Sequence, residues 1–202
     1  MNRNSFLHLW IILCILFTGN IYAATQYYPN RVGNLWILQS RDGTEQRTIE
    51  IVEKIPFGGR NVNLLHRKTR DSIDEFYIAN EPNGDIKLYW SKVFNGFLGD
   101  LISEYNPPQT FIPADLKVGK TWKIIGETGK IRSETVCTVV AQEDVTVPAG
   151  TFQNCFKVQQ DFYVKAFLTI KVQSFMWLAP DIGIVKEQNT NKVIFELIQH
   201  KI

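Results

Sequence analysis

Cysteine, histidine and methionine are scarce in this chain of 202 residues, which has three, three and two of them. Past the N-terminal segment only His66 and His200 remain, on separate predicted strands and without other ligating side chains at suitable spacing. Metal sites in proteins normally use three or four ligands. The sequence therefore predicts no metal site and no cofactor.

The motifs of common hydrolases are missing as well. There is no Gly-x-Ser-x-Gly elbow and no His-Glu-x-x-His pair. A small acidic cluster, Asp71, Asp74 and Glu75, has Lys68 and Arg70 as neighbours and is typical of a solvated turn. We accordingly expect no catalytic residues and a protein that is not an enzyme.

Neither strong net charge nor a hydrophobic run of membrane-spanning length is present. The formal net charge is +2, and without residues 1–23, which carry Arg3 and no acid, it falls to +1. Such a balance lacks the basic footprint of a nucleic-acid-binding protein. The apolar run Phe6 to Thr18 has about 13 residues, whereas a spanning helix needs roughly 20.

The N-terminus has the order of a secretory signal peptide: a short polar start with Arg3, the apolar run, and small residues at its end. We expect cleavage after Ala23. Residues 1–23 are then the signal peptide and residues 24–202 one β-rich domain without an integral membrane segment. The predicted location is the periplasm or the extracellular space.

Two cysteines remain after cleavage, Cys137 and Cys155. In an oxidising compartment an even pair is a candidate disulfide. The alternative is two buried free thiols on strand interiors, because cysteine packs well as a small hydrophobic residue. Both readings remain open at the level of sequence.

Segments with β-strand character dominate the predicted domain. The stretch Arg132 to Gln142 has β-formers on both faces, as a central strand has, and Asn83-Gly84 is a strong hairpin turn. Val93 to Tyr105 has apolar residues at helical spacing and is the one candidate for a short helix. The predicted fold is mainly β: a single antiparallel curved sheet or half-barrel with at most one short helix.

A short motif occurs twice. Val32-Gly33-Asn34-Leu35-Trp36 is echoed by Val118-Gly119-Lys120-Thr121-Trp122, each with a proline a few residues upstream. The echo predicts two related β units within one sheet, beginning near residues 27 and 111. The alternative is coincidence, since motifs this short match by chance.

Three further stretches carry a resemblance: Tyr27-Tyr28-Pro29 before the first motif, Val145 to Phe152 with Cys155, and Trp177 to Lys186. Together they resemble a broad group of uncharacterised exported bacterial β proteins, similar in style to the curved-sheet envelope proteins that include lipoprotein carriers. The resemblance implies an envelope location and a curved sheet. It implies no catalytic residue.

Aromatic residues are numerous, and the stretch from Phe162 to Trp177 is apolar on both faces. One face of a curved sheet can line an apolar pocket. The candidate ligand-binding residues are Phe162, Val164, Phe167, Phe175 and Trp177. We expect a binding protein for a hydrophobic ligand such as a lipid; the alternative is a structural or assembly protein whose sheet edge contacts another envelope protein.

Overall fold

The computed structural model describes residues 25–95, 99–165 and 169–202. The predicted signal peptide, residues 1–23, lies outside the described residues. Within them the chain forms strands, turns and irregular segments but no helix. The strands are β1 (Leu35–Ser40), β2 (Gln46–Phe57), β3 (Arg60–Lys68), β4 (Ile73–Asn80), β5 (Ile86–Asn95), β6 (Gly99–Ile112), β7 (Thr121–Thr128), β8 (Ile131–Val147), β9 (Gly150–Lys165), β10 (Thr169–Ala179), β11 (Gly183–Gln188) and β12 (Ile194–Lys201).

All twelve strands belong to one antiparallel sheet with the order β6-β5-β4-β3-β2-β1-β12-β11-β10-β9-β8-β7. The chain thus runs from strand to neighbouring strand, and β1 pairs with β12 to join the two halves. The sheet curls until its two edge strands, β6 and β7, lie side by side. The predicted antiparallel curved sheet is confirmed.

Turn chemistry explains why the strands end where they do. Asn83-Gly84 forms the predicted hairpin turn between β4 and β5, where Gly84 has a φ of 87°. Glycine adopts this left-handed conformation without the steric penalty that a Cβ atom imposes. The closing hairpin, between β11 and β12, turns through Thr190 and Asn191.

The short helix predicted for Val93 to Tyr105 is wrong. This stretch belongs to a hairpin in which the end of β5 pairs with the start of β6, from Trp90 opposite Glu104 to Asn95 opposite Gly99. The strand β6 continues through Pro107 and Pro108 to Ile112. Proline lacks an N–H donor and is tolerated on an edge strand, which is what β6 is.

The interior of the curled sheet is filled on one side. The largest group of fully buried side chains packs around the β1–β12 junction and includes Trp36, Leu38, Ile49, Ile51, Leu178, Phe195 and Leu197. On the opposite side, toward β6–β8, many inward positions carry small residues instead. This uneven filling leaves space within the sheet.

Candidate ligand-binding cavity

A cavity of about 310 Å³ lies inside the curled sheet. Successive side chains of a strand point to opposite faces, so every second residue of each strand faces this interior. Ser133, Thr135 and Cys137 of β8 line it, as do Val172 and Ser174 of β10. The volume is at the lower end of the range found for small-molecule sites.

Small side chains are the local cause of the cavity. Inward positions that would hold leucine or phenylalanine in a filled core are occupied here by Ser91, Ser103, Gly126, Ser133 and Ser174. Gly126 has no room for more, because a Cβ atom there would lie 2.7 Å from Oγ of Ser103 and 2.8 Å from Oγ of Ser133. The hydroxyl groups leave space above them and make part of the wall polar.

The rest of the wall is predominantly apolar. Phe162 on β9 and Ile124 on β7 line the cavity together with aliphatic and aromatic side chains from the first half of the chain. These neighbours are Leu65, Phe76, Leu88, Val93, Leu101 and Phe111. An apolar enclosure with a few placed polar groups is the usual composition of a ligand site.

The polar groups of the wall centre on Arg67. Its Nε and Nη2 atoms donate to Oδ2 of Asp74 at 2.9 and 2.6 Å, across adjacent strands. About 37% of the Arg67 side chain is accessible, although protein surrounds the residue. Because Arg67 lines the cavity, this accessible part faces the cavity.

The charge of Arg67 is secured by its surroundings. Burial lowers the pKa of the guanidinium, but attraction to Asp74 and Glu187 outweighs burial and leaves the pKa above its ordinary value. Glu187 in turn accepts a hydrogen bond from Arg47 at 2.9 Å. The wall thus holds Arg67 and Glu187 beside an apolar surface, and each of them is paired with a group of opposite charge behind the wall.

The N-terminal segment packs under the sheet and closes the interior on that side. Tyr28 is buried against Trp36 and, edge-on, against Phe111. Burial, followed by the charge of Glu187, raises the pKa of the Tyr28 hydroxyl. The Trp36 indole donates a 2.6 Å hydrogen bond to the carbonyl of Ile182, which fixes the turn between β10 and β11.

Side-chain bonds join β6 to β7, the two edges of the sheet. The carboxamide of Gln109 donates to the carbonyl of Ile125 at 2.9 Å and accepts from its N–H at 2.6 Å. Thr128 donates to the carbonyl of Ile102, and the Trp122 indole donates to the carbonyl of Phe111. We call this junction the β6–β7 seam.

The predicted ligand-binding residues lie in different places. Phe162 lines the cavity, and Val164, two residues further along β9, is buried on the same face. Phe175 and Trp177 have the opposite parity to the lining residues of β10 and stack with the ammonium group of Lys157 on the other face. Phe167 lies outside the described residues.

Sequence reasoning missed most of the wall, including Arg67, Tyr105 and the row of small residues. One signal was available for Arg67, which follows Leu65 at the strand period and so belongs on the inward face of β3. Nothing in the local sequence shows that Gly126, Ser133 and Ser103 meet, because they come from three strands.

Cys137 and Cys155 are both buried free thiols. They lie on adjacent strands but at different heights, and no bond joins them in this structure. Burial raises the pKa of Cys137 to about 12 and that of Cys155 to about 11. Thiols with such pKa values are poor nucleophiles at neutral pH.

No helix long and apolar enough to cross a membrane occurs in the described part of the chain. In the same ranges, no cluster of three or more His, Cys, Asp or Glu side chains could hold a metal ion.

Comparison with known proteins gives a partial family match. Residues 129–193, from the β7–β8 turn to the β11–β12 turn, match the family described as DUF3108-like. No curated protein is significantly similar to the chain.

Two solved structures are similar in fold. One, provisionally described as a lipoprotein of Parabacteroides distasonis, has a TM-score of 0.52 and 15% sequence identity, over 89% of this chain and 100% of its own. The other, described as an exported protein of Bacteroides fragilis with a YmcC-like fold, has a TM-score of 0.46 and 17% identity, over 88% and 100%. At these identities the likeness to the Parabacteroides protein establishes the fold alone.

Proposed function

We propose that this protein is an exported envelope protein of bacteria that binds a hydrophobic ligand such as a lipid inside its curled sheet. The observation that carries the proposal is the cavity of about 310 Å³ with its predominantly apolar wall. Burying apolar surface stabilises a complex by roughly 25 cal/mol per Å². A single acyl chain or a ligand of similar size is therefore the class that the cavity favours.

Location in the periplasm or outside the cell is part of the same proposal. It is supported by the charged, apolar and small-residue order of residues 1–23. The Parabacteroides protein of similar fold is provisionally described as a lipoprotein, which is in keeping with an envelope role.

Binding without catalysis agrees with the groups that line the cavity. The two buried carboxylates near it, Asp74 and Glu187, each accept hydrogen bonds from an arginine. The lining thiol of Cys137 has a pKa of about 12 because burial disfavours the thiolate. A paired carboxylate and a protonated thiol are suited to structure rather than to proton transfer at neutral pH.

The alternative of assembly through a sheet edge has less support. Strand addition requires an edge with free backbone groups. In the described residues the two edge strands, β6 and β7, lie against each other, and Gln109 occupies both backbone groups of Ile125. We therefore prefer ligand binding.

Native mass spectrometry of the chain purified from its own envelope, followed by titration with the fluorescent fatty acid cis-parinaric acid, tests the proposal. We expect one adduct per chain and saturable binding of the probe. Val172→Trp, which fills the cavity, should weaken binding at least tenfold. Lys171→Trp, on the exposed face of the same strand, should leave it within twofold.

Equal binding by both tryptophan variants would place the probe outside the cavity and contradict the proposal. A bare polypeptide mass combined with no binding of the probe would contradict it as well. Circular dichroism and thermal unfolding of both variants verify that each is folded before the affinities are compared.

A further inference from the structure

The two copies of the repeated motif form the same hydrogen-bonded turn. Gly33 donates to the carbonyl of Ile51 at 2.8 Å, and Ile51 donates to that of Asn34 at 3.0 Å. Gly119 donates to the carbonyl of Val139 at 2.8 Å, and Val139 donates to that of Lys120 at 2.9 Å. The φ angles of the two glycines, 90° and 88°, also match.

Matching turns at the starts of β1 and β7 support the predicted repeat, with six strands in each unit. The first unit is β1–β6 and the second β7–β12. In this correspondence the junction of β1 with β12 is equivalent to the junction of β7 with β6, since each joins the first strand of one unit to the last strand of the other.

The two equivalent junctions are built differently. β1 and β12 form a backbone ladder from Leu35 opposite Lys201 to Ser40 opposite Phe195. The described residues of β6 and β7 form no such ladder, and the sheet order ends at these two strands. Side chains of Gln109, Thr128 and Trp122 join them instead.

Proline explains part of this difference. Pro107 and Pro108 lie within β6 and have no N–H to donate to a neighbouring strand. Gln109 follows them, and its carboxamide takes the role of a paired backbone residue opposite Ile125. The described part of the seam is thus closed by separate side-chain hydrogen bonds, each of which can break alone, whereas a ladder opens only when the backbone bonds of several residues break together.

Both strands of the seam also line the cavity. Leu101, Ser103 and Tyr105 of β6 and Ile124 and Gly126 of β7 contribute to its wall. Separation of these two strands would therefore open the wall of the cavity along the seam.

We propose that the β6–β7 seam is the portal through which the ligand enters and leaves the cavity. This inference rests on the proposed function, because a portal requires a ligand. The strands part locally while the ladders elsewhere in the sheet remain intact, and they close again over the bound molecule.

A disulfide across the seam tests the portal. A Cβ atom at Gly126 would lie 3.4 Å from Cβ of Ser103, close to the 3.5–4.5 Å that disulfides have. The test variant is Ser103→Cys with Gly126→Cys, and Ser133→Ala is added because Oγ of Ser133 lies 2.8 Å from the new Cβ atom. Trypsin digestion and mass spectrometry establish the bond before any measurement.

A second disulfide serves as the control. Thr121 and Thr138 are paired across the β7–β8 ladder with their hydroxyl oxygens 3.2 Å apart. Thr121→Cys with Thr138→Cys ties β7 to its laddered neighbour and leaves the seam free. Both proteins are compared oxidised and reduced, in the Ser133→Ala background.

Stopped-flow uptake and release of cis-parinaric acid is the measurement. We expect the oxidised seam disulfide to slow both rates at least tenfold, reduction to restore them, and the control disulfide to change them less than twofold. Unchanged rates with the seam closed would overturn the portal and leave the proposed function standing. Absence of probe binding by the unmodified protein would overturn the proposed function together with the portal.

Hydrogen exchange supplies a readout that needs no ligand. Amides of β6 and β7 that face the seam should exchange at least tenfold faster than those of the β1–β12 ladder. Equal protection of the two junctions would overturn the portal, since the seam would then open no more readily than a ladder.

Discussion

Cys137 and Cys155 lie on neighbouring strands but oppose different residues, Gln160 and Glu143 respectively. Six positions of β8 separate Cys137 from Glu143, which corresponds to roughly 20 Å along a strand. A disulfide requires Cα atoms within about 7 Å. Oxidation of this pair would therefore require the β8–β9 ladder to break.

Both thiols should resist alkylation in the folded protein. With a pKa of about 12 for Cys137 and about 11 for Cys155, only about one thiol in a thousand or fewer is ionised at pH 8, and the thiolate is the reactive form. Iodoacetamide should add no label to the folded chain of residues 24–202 at pH 8 and two labels in urea without reductant. A chain that takes no label in urea until it is reduced would carry the disulfide.

Gly183 and Gly119 can be compared to measure how much a side chain at a positive φ angle destabilises the fold. Their φ angles are 94° and 88°. A Cβ atom at Gly119 would meet nothing within 4 Å, whereas one at Gly183 would lie 3.1 Å from the indole of the buried Trp36. Gly119→Ala should cost about 1–2 kcal/mol for the backbone conformation alone.

Gly183→Ala should cost at least about 1 kcal/mol more than Gly119→Ala, because overpacking adds to the strain. Urea unfolding of the three proteins measures both differences in the free energy of unfolding. Equal losses would show that Trp36 moves aside without cost. The Trp36→Phe variant lacks the indole hydrogen bond to Ile182. Its free energy of unfolding therefore measures the contribution of that bond separately from the contact with residue 183.

Replacing only Asp74 of the Arg67–Asp74 pair should lower the free energy of unfolding more than replacing both residues. Asp74→Asn leaves the Arg67 guanidinium in the cavity wall without its carboxylate, and breaking such a pair on one side costs up to about 3–5 kcal/mol when it is fully buried. Since part of Arg67 faces the cavity, we expect about 1–3 kcal/mol. Asp74 also accepts from the N–H of Phe94, a bond that Asn retains through its carbonyl oxygen.

Arg67→Met combined with Asp74→Asn removes the uncompensated charge and should recover at least half of that loss. Urea unfolding at pH 7 of the two single variants and the double variant completes the cycle. A double variant as unstable as the sum of the single variants would mean that the two groups act independently.

The general fold could be predicted because its signals are local. Alternation within strands such as β8 and turn residues such as Asn83-Gly84 act over a few residues and are legible in one sequence. The stretch Val93 to Tyr105 misled because apolar residues that fall at helical spacing also occur in two strands joined by a hairpin. In the structure, β5 and β6 pair with each other, with Trp90 opposite Glu104 and Lys92 opposite Ile102. This strand pairing outweighs the helical spacing of the apolar residues.

From the sequence, the cavity could be predicted only as a feature that curved sheets can have, without its position. Its position depends on Ser103, Gly126 and Ser133 meeting across three strands, and strand order cannot be derived from the spacing of small residues. Phe175 and Trp177 were predicted to bind ligand because they are aromatic. Alternate residues of a strand point to opposite faces, however, so these two lie on the face of β10 opposite Met176. A one-residue difference in register decides which face a side chain joins, and bulges in the paired strands make that register hard to derive.

Gln109 should be the side chain on which closure of the β6–β7 seam depends most. Its carboxamide both donates to and accepts from Ile125, so Gln109→Met, of similar length, removes two hydrogen bonds and leaves two backbone groups without their partner. Each such loss costs about 1–3 kcal/mol when the group is buried, and because the site is half-buried we expect about 1–2 kcal/mol in total. Gln142→Met, at an exposed position of β8, is the control and should change stability by less than about 0.5 kcal/mol. In hydrogen exchange, Gln109→Met should speed exchange in β6 and β7 more than in β1 and β12. An equal acceleration in all four strands would mean that Gln109 supports the whole sheet and not this seam.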